Sequence, residues 1–187
     1  MEYEDETFTR ENFPKNLQGS SFLSVRFEGC DFSGLDLRKA RFFQCAFSGC
    51  NWTTTKVQDV RLQEVHMVDS KCMGIDFTVV DPSFLQLSFE KSLLSGCNFS
   101  GLILKKSRFV ECRVKECHFV ETNLEESDFQ KSTLTGTLFH HANLKKANFQ
   151  EAKEYQINPL NNSLNKAKFS LPEAVGLLEG LGVMIQS

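Results

Sequence analysis

Seven cysteines and four histidines are the side chains of this chain with the most chemistry in them. Cys45 and Cys50, and likewise Cys112 and Cys117, stand five apart, close enough to invite a soft-metal site, since thiolates are strong ligands for zinc and its neighbours. Cys30 with Cys50, and Cys97 with Cys117, stand twenty apart and are the pairs to weigh for a disulfide. His66, His118, His140 and His141 are the available imidazoles. Asp31, Asp36, Asn51, Asn98, Asn123, Asp128, Asn143 and Asn148 recur in a way that superficially resembles paired catalytic carboxylates. No CxxC pair, zinc-protease pair, phosphate-binding glycine loop or nucleophile elbow accompanies them. What these residues do therefore depends on the elements that position them.

The interval of five is the organising feature. From Leu17, steps of five give Phe22, Phe27, Phe32, Leu37, Phe42, Phe47, Trp52, Val57, Leu62, Met67, Cys72 and Phe77. From Phe84 the same step gives Phe89, Leu94, Phe99, Leu104, Phe109, Val114, Phe119, Leu124, Phe129, Leu134, Phe139, Leu144 and Phe149, then Leu164 and Phe169. Fifteen of the 18 phenylalanines lie on these combs. Two residues before most comb positions stands a small side chain, such as Ser20, Cys30, Ala40, Cys97, Ser107 or Ala147, and the next position is polar, commonly Asp or Asn. A period of five matches neither a helix nor a flat strand. It suits a coil that turns a corner every five residues, each coil satisfying its backbone through the next.

Ala142-Asn143-Leu144-Lys145-Lys146 and Ala147-Asn148-Phe149-Gln150-Glu151 state the motif in full, and over roughly residues 15 to 170 the chain resembles the pentapeptide repeat family. The resemblance implies an all-β fold, a right-handed quadrilateral β-helix in which four pentapeptides make one square turn. Every fourth comb residue then shares a face, with Phe89, Phe109, Phe129 and Phe149 opposite Phe99, Phe119 and Phe139, and aliphatic ladders on the other two faces. Six cysteines fall in the small inward slot and Cys72 in a comb position, so reduced, buried core thiols are expected, with the histidines outside. The Asp and Asn residues become a requirement of the repeat, gathered by no cleft, and neither an enzyme nor a cofactor or metal is expected.

The breaks in the combs set the expected units: an acidic N-terminal segment 1–14, a first stack 15–79, a second stack 80–170 beginning at the two-residue slip around Pro82, and a cap and tail 171–187. A bulged loop is expected near Glu154 and Pro159. Ser170-Leu171-Pro172-Glu173 has the cap, early proline and acidic residue of a helix start. Leu171, Ala174, Val175, Leu178 and Leu181 follow at helical spacing, so a C-terminal capping α-helix is expected. Leu177, Leu178, Leu181, Val183, Met184 and Ile185 are the candidates for a twofold end-to-end dimer, which would stop open-ended stacking.

A formal charge of −3, with no long basic stretch, excludes direct nucleic-acid binding as the first expectation. No run of about 18 apolar residues and no apolar leader at the acidic start point to a cytoplasmic protein without membrane contact. The layout of two stacks, proline joint, helix and apolar tail resembles the gyrase-interacting pentapeptide repeat proteins, the Qnr quinolone-resistance and gyrase-poison immunity branch. That implies a dimeric DNA-mimicking rod that binds DNA gyrase or topoisomerase IV and protects it from quinolones or peptide toxins. The alternative is an interaction scaffold for another partner. The long loops of Qnr proteins are absent here, and residues 1–36 hold eight acids and three bases, a net of −5, which leaves +2 for the remainder.

Overall fold

The computed structural model describes residues 1–14 and 16–183. Comb residues sit at the centre of short strands, as in Arg26–Glu28, where Phe27 is buried between two exposed residues, or directly after an isolated bridge residue, as Phe32 follows Asp31. Two residues past the comb position the backbone turns left-handed, at Lys39 (φ 63°), Gln44 (φ 52°), Glu121 (φ 55°) and Lys146 (φ 58°) among others. Where the corner is tightest, the comb carbonyl accepts from the N–H three residues on, as in Ala40 to Leu37 (2.8 Å) and Ser127 to Leu124 (3.1 Å). Such corners close each coil, and adjacent coils pair in parallel at an offset of twenty, with Phe22 against Phe42, Phe27 against Phe47 and Phe119 against Phe139. The result is a right-handed quadrilateral β-solenoid of about eight turns with one short C-terminal helix.

The core is a set of stacked ladders. Phe27 and Phe47 lie 4.7 Å apart at 3°, and Phe109 and Phe129 4.8 Å apart at 4°. Ring spacing therefore equals strand spacing, so side chains and backbone share one repeat. In the second half opposed ladders meet edge to face, as between Phe109 and Phe119 at 84°. The first half differs: Phe22, Phe27 and Phe32 place aromatics on three consecutive faces of one coil, with Leu37 on the fourth. The expected alternation of aromatic and aliphatic faces thus holds only beyond Phe77.

The first coil begins before the comb. Strands Glu2–Glu4 and Thr7–Thr9 pair with Ser21–Leu23 and Arg26–Glu28 at an offset of nineteen, and Tyr3 stacks on Phe22 at 5.0 Å. Tyr3, Phe8 and Phe13 step by five, but Phe13 to Leu17 is a step of four, which hides them from a strict count. The segment 1–14 therefore supplies a coil rather than preceding the stack.

The joint at Pro82 is a bulge, not an interruption. Asp81 pairs with Arg61 at an offset of twenty and Leu87 with Val65 at twenty-two, so two extra residues are absorbed between them. On the next face one sheet runs through six strands from Thr7–Thr9 to Arg108–Val110. Phe84, placed on the comb by counting, is instead 73% exposed, and Leu85 and Leu87 fill the interior. Near the other end the chain shortens by two, so that Ile157 pairs with Phe139 at an offset of eighteen and continues that ladder in place of Pro159. The residues recovered between Asn158 and Asn161 form the bulge expected there.

Candidate partner-binding faces

Inside the rod the small slot has a specific task. Its side chain donates to the comb carbonyl of the preceding face in the coil below: Cys45 Sγ to Phe22 O at 3.4 Å, Cys50 Sγ to Phe27 O at 3.3 Å, Ser70 Oγ to Phe47 O at 3.3 Å, Thr122 Oγ1 to Phe99 O at 3.0 Å. Where a thiol or hydroxyl stands in the slot the buried carbonyl gains a partner, while Val25, Ala40, Val60 and Val65 fill other slots with apolar bulk alone. All seven cysteines are free and buried. Burial pushes the Cys45 thiol up to about 11 and those of Cys50 and Cys112 up to about 12, and it raises Cys72 as well. Cys117 is raised by its hydrogen bond with Cys97 and by burial. Burial thus favours the protonated thiol at Cys45, Cys50, Cys72 and Cys112, while the contact with Cys117 lowers Cys97.

The polar position is equally structural. Asp or Asn there accepts from the N–H two residues on, as at Asp31 to Ser33 (3.0 Å), Asn123 to Glu125 (3.2 Å) and Asn148 to Gln150 (3.1 Å). Asn51, Asn143 and Asn148 also donate to the same position one coil below. These residues are spread over the rod and gathered at no single point. His66, His118 and His141 are exposed and half-buried His140 meets Asn161 Nδ2 at 3.0 Å. Among the described residues no group of three or more His, Cys, Asp or Glu is placed to hold a metal ion.

What remains for function is the outer surface, and its charges are mixed. On the face centred on Leu104, Leu124 and Leu144, Lys105 and Lys106, then Glu125 and Glu126, then Lys145 and Lys146 stack in successive coils. Their ion pairs include Lys105 to Glu125 at 2.9 Å and Lys146 to Glu126 at 2.7 Å. The neighbouring lysines hold both carboxyls below the usual range, through hydrogen bonds and charge. Arg38 lowers Asp36 to about 2, and Arg61 does the same for Asp81. Acid is in excess in the first coil, where residues 1–14 hold five acids and one base, and equally over residues 59–90 and 111–130, each with six acids and two bases. Duplex DNA as long as eight coils, roughly 38 Å, carries about 22 phosphate charges. The chain carries −3, a small fraction of that charge.

The far end is covered by a shorter cap than the spacing predicts: a 3₁₀ turn Glu173–Val175 and one α-turn Gly176–Glu179. Ser170 does not cap it, because its Oγ accepts from Glu151 N–H at 2.7 Å. Gly180 sits so close to the 158–161 bulge that a Cβ would lie 2.7 Å from Pro159 Cδ. Of the predicted dimer residues, Leu177 packs against the core, while Leu178, Leu181 and Val183 are 42%, 48% and 47% exposed. Leu160 and Leu171 add 74% and 78% exposure to this end, which sequence reasoning missed. Met184 and Ile185 lie outside the described residues. Phe84, which counting placed inside, and Ile103, which the sequence offers as an outward apolar residue together with Leu93, Val110, Val120 and Leu138, line one shallow depression at the joint with Gln63, Glu64, Leu85, Gln86 and Lys105. Ile103 was legible as a departure, since it stands where the repeat asks for Asp or Asn. No helix is long and apolar enough to cross a membrane among the described residues.

Two family models match the chain, one described as pentapeptide repeats (8 copies) over residues 16–49 and one as a pentapeptide repeat region over 82–158. No curated protein matches it. Among solved structures, a trypsin-treated form of QnrB1, a plasmid-mediated fluoroquinolone resistance protein, is similar with a TM-score of 0.66 at 18% identity, covering 100% of this chain and 98% of that one. Full-length QnrB1 gives 0.57 at 20% identity, with 97% of each chain covered. Identities this low speak for fold alone. With both stacks matched in sequence and the square coil seen from the first strand to the cap, the chain belongs to the pentapeptide repeat family.

Proposed function

We infer that this rod is a non-enzymatic binding protein of the quinolone-resistance type, docking on DNA gyrase or topoisomerase IV and relieving inhibition by gyrase poisons. The observation that carries the reading is the likeness to QnrB1 along essentially the whole of both chains, including the capped end. The acidic first coil is a part suited to basic DNA-contacting surfaces. The exposure of Leu171, Leu178, Leu181 and Val183 supports a twofold dimer through the capped end. The mixed charge of the remaining faces favours a second reading, a scaffold for a partner protein unrelated to topoisomerases.

Gyrase supercoiling, titrated with the purified chain in the presence and absence of a fluoroquinolone, tests the first reading. Restored supercoiling in the presence of drug supports it. Unchanged supercoiling at every dose, with and without drug, removes it and leaves the scaffold.

A further inference from the structure

At the joint two large apolar side chains stand on the outer surface. The left-handed corner position, occupied elsewhere mostly by glycine or by Lys, Glu or Asp, is taken by Phe84 at φ 60° and 73% exposure. A bulky residue there strains the backbone, and an exposed aromatic adds nothing to the core. One coil on, Ile103 occupies the position where Asp or Asn caps the turn in several other repeats, and at 66% exposure it is more open than Leu138, the other exposed large apolar residue at this position. Scattered exposed apolar residues are ordinary surface. These two line the same depression, and each replaces a residue type the backbone would favour.

The charged residues lining the two depressions are mostly basic. Lys105, Lys106 and Arg108 border the adjoining depression, with side chains 50%, 76% and 51% exposed. Lys105 is paired with Glu125 at 2.9 Å, whereas Lys106 and Arg108 stand 3.9 and 3.8 Å from Glu126 and Asp128 and are the cations most open to a second partner. Glu64 is the single carboxylate lining either depression, and it accepts from Gln44 Nε2 at 3.0 Å.

We propose that the bulge is a docking site for an acidic segment of a partner protein, with an apolar side chain seated on Phe84 and Ile103 and carboxylates against Lys105, Lys106 and Arg108. This rests on the reading of the rod as a protein-binding surface and is independent of whether the partner is gyrase. Native backbone strain at the site is then the counterpart of its use, and removing the patch relieves that strain.

The double substitution Phe84→Gly with Ile103→Asn tests it, because glycine suits the left-handed corner and asparagine restores the turn cap. Two probes are used on the full chain: a fluorescein-labelled peptide of Leu and Trp flanked by glutamates, with a lysine-flanked control, and purified DNA gyrase. The expected result is an unchanged or higher denaturation midpoint together with a loss of at least about tenfold in affinity for one or both probes. Lys106→Glu, at an exposed side chain remote from the core, is expected to weaken the same binding by repulsion. The site is overturned if neither probe distinguishes either variant from the parent. If the glutamate peptide requires Phe84 while gyrase is not bound by the parent, the site stands and the gyrase reading falls. If gyrase is bound equally by parent and variants while the peptide is ignored by all, the gyrase reading stands and the site falls.

Discussion

Raising the pH from neutrality to about 10 attacks the rod through its slot thiols. An unfolded cysteine ionises near 8.5, whereas burial holds Cys45 up to about 11 and Cys50 and Cys112 up to about 12. A group whose folded pKa is raised contributes stability that is complete below the unfolded value and is lost as pH climbs toward the folded one. Between about pH 8.5 and 10 each of these thiols withdraws about 2 kcal/mol, at 1.36 kcal/mol per unit, so the three withdraw about 6 kcal/mol. That is comparable with the whole net stability of an ordinary domain, about 5–15 kcal/mol. Urea midpoints followed by far-ultraviolet circular dichroism across this window should fall steeply, with thiolate absorbance rising only as the strands are lost. Cys45→Ser, Cys50→Ser and Cys112→Ser together should flatten the fall, since Ser70 and Ser92 already fill equivalent slots with the same hydrogen bonds. A pH dependence unchanged by the triple substitution, or thiolate absorbance appearing in the folded chain, would refute the reasoning.

Phe129→Ala should cost about 3–5 kcal/mol, because its ring is stacked between Phe109 at 4.8 Å and Phe149 at 4.9 Å and no neighbour can collapse into the gap; chemical denaturation measures it. Thr54→Gly should raise stability by about 0.5–1 kcal/mol in the same assay, since a β-branched residue is held there at φ 53°. Gly180→Ala should lift the cap from the 158–161 bulge, lowering the melting temperature and exposing the chain beyond Phe169 to limited proteolysis while the strands persist.

The square coil was legible because the interior admits one comb side chain and one slot side chain per corner, and that geometry repeats in the sequence without loss. Steric filling is local, so a step of five reports it directly. The same counting failed where one residue was lost or two were gained. Tyr3, Phe8 and Phe13 were hidden by a single step of four, and Phe84 was placed inside because comb spacing cannot tell which of two inserted residues is expelled. Helical spacing after Ser170 overstated the cap, because Gly176 and Gly180 confine the regular α-turn to four residues and Ser170 is engaged by Glu151. The candidate surface was less legible than the core. Outward positions tolerate most polar residues, so the stacked rows Lys105-Lys106, Glu125-Glu126 and Lys145-Lys146 acquire meaning only once the coils set them side by side.

The most direct test of the central claim is competition at gyrase itself. Fluorescently labelled duplex DNA bound to gyrase is titrated with the purified chain, and anisotropy and direct binding of the chain are followed together. Release of the duplex as the chain binds is the predicted result. Duplex retained by gyrase at saturating chain, whether the chain binds elsewhere or not at all, would contradict the account of a rod that takes the place of DNA.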